Sequence, residues 1–149
     1  MNLTGNTLIV VADGAHARIF EEKVRGGALT EISERLGDFG HLGPLAKRPR
    51  VQVHARMGFG SHTTESESIS VREEGRYIQA LADRLDEMGA PKAFDEIVLI
   101  APPKALGGLR VALSPALARK VTGSEAAERI TDDEEGVRKA LRRIRLKAR

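Results

Sequence analysis

Two apolar runs without polar interruption set the strongest constraint on this chain: Thr7-Leu8-Ile9-Val10-Val11-Ala12 and Ile97-Val98-Leu99-Ile100. A strand with one face in water alternates apolar and polar residues, because successive side chains point to opposite faces. Neither run alternates, so each must be covered on both sides, the condition of a central strand in an α/β sheet. The length of 149 residues fits one such domain, which would bury roughly two-thirds of its unfolded surface. The sequence therefore reads as a single α/β domain over residues 1–149, a mixed β-sheet with helices on its faces.

The segments around these runs supply the remaining elements. Asp13-Gly14 is a turn dipeptide tolerant of left-handed backbone, and Ala15 to Glu21 follows with alternation, Ala15, Ala17 and Ile19 against His16, Arg18 and Phe20. A second turn at Gly26-Gly27 leads to Ala28–Leu36, read as a third antiparallel strand. Ser70 suits an N-cap and Glu73 completes a capping box. Ile78, Leu81, Ala82, Leu85 and Met88 then recur at helical spacing, and Gly89 with Pro91 ends that helix. After the second apolar run, Pro103 suits the first turn of a helix that faces Leu106, Leu109 and Leu113 inward. Ser114-Pro115 opens a short helix carrying Leu117 and Val121, and Glu128-Arg129-Ile130 reads as a weak edge strand. Thr131 and Glu134 form a second capping box before a last helix with Val137, Leu141 and Ile144 buried. The predicted order is β-β-β-α-β-α-α-β-α.

From Gly37 to Ser70 the regular signals stop. This stretch holds five glycines, two prolines, three of the four histidines, and the cations Lys47, Arg48, Arg50 and Arg56. Loops of this length are uncommon in compact domains and are usually functional or disordered. Four cations on a glycine-bearing segment suit phosphate contacts, which need charge and reach more than fixed geometry. A solvated loop kept soluble by charge accounts for the same composition, and so does a loop that docks a protein. The formal net charge is +3, yet residues 137–149 carry seven cations and no acid, so taking those seven from +3 leaves −4 elsewhere. Arg138, Arg142 and Arg145 of the last helix join the loop cations as candidate nucleic-acid contacts, with a solvated helix end as the alternative. Aromatics make up only 3% of the chain, which argues against base-stacking platforms.

No complete catalytic motif is present. The chain lacks cysteine, which removes disulfides, thiolate catalysis and Cys-based zinc sites. His41, His54 and His62 are spaced by 13 and 8 residues, which matches no compact ligand motif, so no metal or cofactor is expected. Asp13 ends the first strand, where a two-metal nuclease would place an acid, but such a site needs several converging carboxylates. The Asp-Gly turn explains Asp13 without a metal. Ala101-Pro102-Pro103-Lys104 stands where an α/β fold binds anions, but its prolines remove amide donors and favour a rigid turn. The chain begins without a basic leader, and no stretch approaches the roughly 18 apolar residues of a membrane span, so a cytoplasmic protein is expected.

Two blocks carry a family resemblance: Val11-Ala12-Asp13-Gly14-Ala15-His16-Ala17-Arg18-Ile19-Phe20, and Phe94 to Gly107, extended by Leu109-Arg110 and Leu113-Ser114-Pro115. They resemble the bacterial family named as proteins required for attachment to host cells, a name that records a phenotype. That family is similar in turn to the middle domain of archaeal and eukaryotic class-1 peptide release factors, a ribonuclease-H-like fold of the translation machinery. The resemblance implies the same fold here, with a loop in the place where release factors carry Gly-Gly-Gln. Gly58-Phe59-Gly60-Ser61 lies in the corresponding region, and no Gly-Gly-Gln occurs in the chain. The attachment family carries an Arg-Pro-Gly-Arg-like stretch there, matched only in part by Lys47-Arg48-Pro49-Arg50-Val51. The resemblance thus implies a non-enzymatic module that binds RNA or the ribosome. The alternatives are a protein-interaction role tied indirectly to attachment, with the 37–70 loop as the docking surface, and a metal-dependent nuclease centred on Asp13.

Overall fold

A computed structural model describes residues 5–37 and 60–147. Five strands form one mixed sheet in the order β3-β2-β1-β4-β5: β1 (Thr7–Ala12), β2 (Ala17–Glu22), β3 (Leu29–Glu31), β4 (Glu96–Ala101) and β5 (Val121–Ala126). The first three form an antiparallel meander, with Ile9 opposite Phe20 and Glu21 opposite Thr30. β4 lies parallel to β1, with Val10 beside Leu99, and β5 lies parallel to β4. This order is compatible with the ribonuclease-H-like arrangement. The two apolar runs are β1 and β4, neighbours at the centre of the sheet, and both are buried along their length as the missing alternation required.

Their side chains divide between two cores. Leu8, Val10, Ala12, Ile97, Leu99 and Ala101 enter the core on one face, which α1 (Gly60–Glu87), α2 (Ala90–Ala93), α3 (Pro103–Ala112) and α4 (Pro115–Ala118) cover. Ile9, Val11, Val98 and Ile100 point to the opposite face, where α5 (Glu134–Lys147) packs through Val137, Ala140, Leu141 and Ile144. The alternation read in β2 holds, with Ile19 in the first core and Phe20 in the second.

Several boundaries differ from those the sequence predicts, each for a local reason. β3 ends at Glu31, and Ser33–Leu36 coil into a 3-10 helix. The Ser33 hydroxyl accepts the Ile19 N–H at 3.0 Å and donates to Glu31 Oε2 at 2.7 Å, so a side chain takes over the role of the ladder. α1 begins at Gly60, ten residues before Ser70, which is interior to the helix. Nothing between Ser61 and Glu74 is Gly or Pro, so the helix runs past its apolar stripe once that stripe anchors it. Gly89 ends it at φ +82, as the Gly-Pro signal indicates, and Pro91 then lies in the first turn of α2.

The last strand is Val121–Ala126, not Glu128–Ile130, so Val121 leaves the short helix α4. Its sequence Val-Thr-Gly-Ser-Glu-Ala is polar and small because it is an edge strand whose inner face meets α5 closely. A Cβ on Gly123 would stand 2.5 Å from Ile144 Cγ2. Ile130 instead packs on the second core from the loop that follows. At the start of α5 the cap is Asp133, which accepts the Gly136 N–H at 2.9 Å, in place of Thr131.

Candidate nucleic-acid interface

The sheet fixes α5 through a buried carboxylate. Glu22 ends β2 on the same side as Phe20, two residues away, and so projects under the helix; its side chain is fully buried. Arg138 Nη1 donates to Glu22 Oε2 at 2.8 Å, and Arg145 donates to both oxygens, at 3.0 and 2.5 Å. The Gly26 N–H adds a bond of 3.0 Å to Oε2, and Arg145 also reaches the Thr7 hydroxyl at 3.3 Å. Burial pushes the Glu22 carboxyl up, but the bonds from Arg145, Arg138 and Gly26 outweigh it and hold the group below the usual carboxylate value.

The three arginines read as candidate contacts on the last helix are therefore not equivalent. The side chains of Arg138 and Arg145 are only 12% and 17% exposed and are turned inward on Glu22. Arg142 is exposed and has no ion pair among the described residues. A helix advances about 100° per residue, so Arg138 and Arg145 border the stripe of Val137, Leu141 and Ile144, while the opposite face belongs to other residues. Lys139, Arg142, Arg143 and Leu146 are the exposed ones there, and Lys147 is exposed at the flank beside Ala140 in the last turn. Arg143 is held by Glu125 at 3.1 Å, and Glu125 also takes Arg129 at 3.1 Å. Sequence reasoning counts Lys139 and Lys147 among the seven cations of residues 137–149 without singling them out, although the buried stripe already marks Lys139 as outward-facing.

Other charged groups serve the scaffold. Arg18 grips Glu31 through two bonds of 3.0 and 2.9 Å and donates to the carbonyls of Ile130 and Asp132, joining β2, β3 and the approach to α5. It also stacks over Phe20 at 5.1 Å. Hydrogen bonding from Arg18 holds the Glu31 carboxyl below its usual range, with burial opposing and Ser33 assisting.

Asp13 is occupied with its own turn. Its Oδ1 accepts the N–H groups of Ala15 and His16 at 2.8 and 2.6 Å, and His16 Nδ1 lies 3.4 Å away. Gly14 does not adopt a positive φ, in contrast to the expected left-handed turn; the Glu74 side chain lies over it, 2.7 Å from where a Cβ would be. Tyr77 is buried nearby, and burial together with the Asp13 charge raises its phenol. Among the described residues no group of three or more His, Asp or Glu side chains could hold a metal ion. Nothing in this geometry supports a nuclease centre on Asp13.

Ala101-Pro102-Pro103-Lys104 is a strand-to-helix turn: Pro102 precedes α3, and its carbonyl accepts the Leu106 N–H at 2.8 Å. Lys47, Arg48, Arg50 and Arg56 lie outside the described residues, as do His41 and His54, so their candidate roles rest on sequence. Among the described residues no helix is long and apolar enough to cross a membrane.

The class these features define is an α/β domain with a five-stranded mixed sheet, a clamped basic helix on one face and a basic segment between β3 and α1 in the sequence. The chain belongs to the bacterial archaeo-eukaryotic release factor family 12, whose model matches residues 6–141. That match supports the release-factor side of the resemblance and lends nothing to the host-attachment name or to a role in attachment. No curated protein matches the chain.

Proposed function

We propose that this chain is a non-enzymatic binding module of the translation machinery that engages RNA on the ribosome in the cytoplasm. The carrying observation is the family match over residues 6–141, which encloses a stretch with four cations and no Gly-Gly-Gln. By the resemblance, Lys47, Arg48, Arg50 and Arg56 belong to the loop that corresponds to the one carrying that tripeptide in release factors. Charge is retained there while the residues that would assist peptidyl-tRNA hydrolysis are not, which suits phosphate contact without chemistry. The basic outer face of α5 gives a second cationic zone.

Co-sedimentation of the protein with purified bacterial ribosomes over a salt series tests the reading. Binding should weaken as salt rises, and replacing Lys47, Arg48, Arg50 and Arg56 by Gln should flatten the log–log slope by roughly 3, at about 0.7–0.9 per phosphate contact. An affinity indifferent to salt, or unchanged in that variant, would sink the proposal.

A further inference from the structure

We propose that α5 meets the phosphate backbone of ribosomal RNA through Lys139, Arg142 and Lys147, and that Arg138 and Arg145 take no part in that contact. The inference rests on the ribosome-binding reading above and adds which surface and which residues do the binding. All three cations are exposed, and none has an ion pair among the described residues. They span residues 139 to 147, about 12 Å along the helix at 1.5 Å per residue. Within the helix acids lie only at the first turn, Glu134 and Glu135, and since Glu125 offsets Arg143 and Glu22 offsets Arg138 and Arg145, the uncompensated positive charge beyond that turn belongs to these three. Leu146, 68% exposed, lies among them.

Charge and shape together select the partner. Among the described residues the aromatics Phe20, Phe94 and Tyr77 are all buried, so the described surface offers no platform on which an unstacked base could rest. A partner of folded RNA keeps its own bases stacked and presents phosphates, which is what an array of cations without aromatics can read. The Glu22 clamp sets the rotation of α5. With Arg138 and Arg145 drawn inward, Lys139 and Arg142 must face outward.

The test uses the full chain with two probes, purified bacterial ribosomes and protein-free ribosomal RNA. The variant K139Q/R142Q/K147Q should bind both more weakly, with a salt slope shallower by about 2–3, at 0.7–0.9 per contact. The charge-preserving K139R/R142K/K147R should keep the wild-type slope. Thermal unfolding checks that both fold; if the neutral triple does not, the three single Gln variants should each flatten the slope by a little under one. A neutral variant with the wild-type slope on both probes overturns the proposal. A loss seen on ribosomes but absent on protein-free RNA also overturns it, because the face would then meet a ribosomal protein. Should the wild type bind ribosomes with a slope that depends on the 47–56 cations alone, this inference falls and the broader reading stands. Should the wild type not sediment with ribosomes, the broader reading falls too.

Discussion

At Glu22 the molecule places a carboxylate with no solvent exposure beneath a helix that carries six cations, and the two guanidiniums that reach it are themselves mostly buried. A buried ion pair is a weak source of net stability, but removing one partner leaves the others charged and uncompensated. Glu22→Gln should therefore destabilise the fold by roughly 3–5 kcal/mol in chemical denaturation, since Gln keeps acceptor and shape but not charge. The pH dependence has a definite sign. The folded carboxyl titrates below its ordinary value of 4.5, so its stabilisation is complete above 4.5 and is lost as pH falls through the lower folded value. Glu31, held low by Arg18, contributes on the same acid limb. The wild type should lose stability steeply below pH 4.5, and Glu22→Gln should show a flatter acid limb; equal limbs would remove the clamp from the account. Gly123 makes a second residue-scale case. The methyl of Gly123→Ala would meet Ile144 Cγ2 at 2.5 Å, a branch on a buried side chain rather than a flexible tip. The expected cost is about 1–3 kcal/mol in urea unfolding, the usual range for overpacking. Neither residue announces itself in sequence: a lone Glu at a strand end reads as solvated, and a Gly among polar residues reads as a turn.

Elements with a buried stripe were legible, and elements defined by their neighbours were not. β1 and β4 declared themselves by lacking alternation, and the inward Leu106, Leu109 and Leu113 followed from helical spacing. β5 carries no apolar run because it lies at the edge and yields its inner face to α5, so its burial is only intermediate and its pattern is mute. The capping-box pattern of Ser70 and Glu73 stands where the apolar stripe begins, but a helix anchored by that stripe extends further, through polar residues, at little cost. Ser114 shows the opposite case, a cap read correctly. Its hydroxyl accepts the Leu117 N–H at 3.2 Å and donates to Asp86 at 2.9 Å, so it both starts α4 and ties it to α1. Ser114→Ala should cost roughly 0.5–2 kcal/mol, the range for a lost N-cap. A double-mutant cycle with Asp86→Ala should show coupling between the two sites, because they share one hydrogen bond.

Among the described residues, four helices cover one face of the sheet and α5 alone covers the other. The outer side of α5 is exposed, and the inward pull on Arg138 and Arg145 decides which cations that side displays. The basic balance of the chain is local, +3 in total but −4 without the residues from 137 onward, so an approaching polyanion is drawn to particular zones and repelled elsewhere. Two such zones exist in sequence, the Lys47–Arg56 segment and the outer face of α5. If both engage one continuous RNA surface at once, each phosphate they neutralise releases its own counterions independently. Combining the four loop substitutions with K139Q/R142Q/K147Q should then flatten the salt slope by the total of the two separate reductions, measured by ribosome co-sedimentation over roughly 50–200 mM salt. Loss of log K should add in the same way, since distant sites with no shared partner act independently. If the combined variant is no worse than the worse of its two parents, the zones serve alternative binding modes. The molecule would then present one cationic surface at a time.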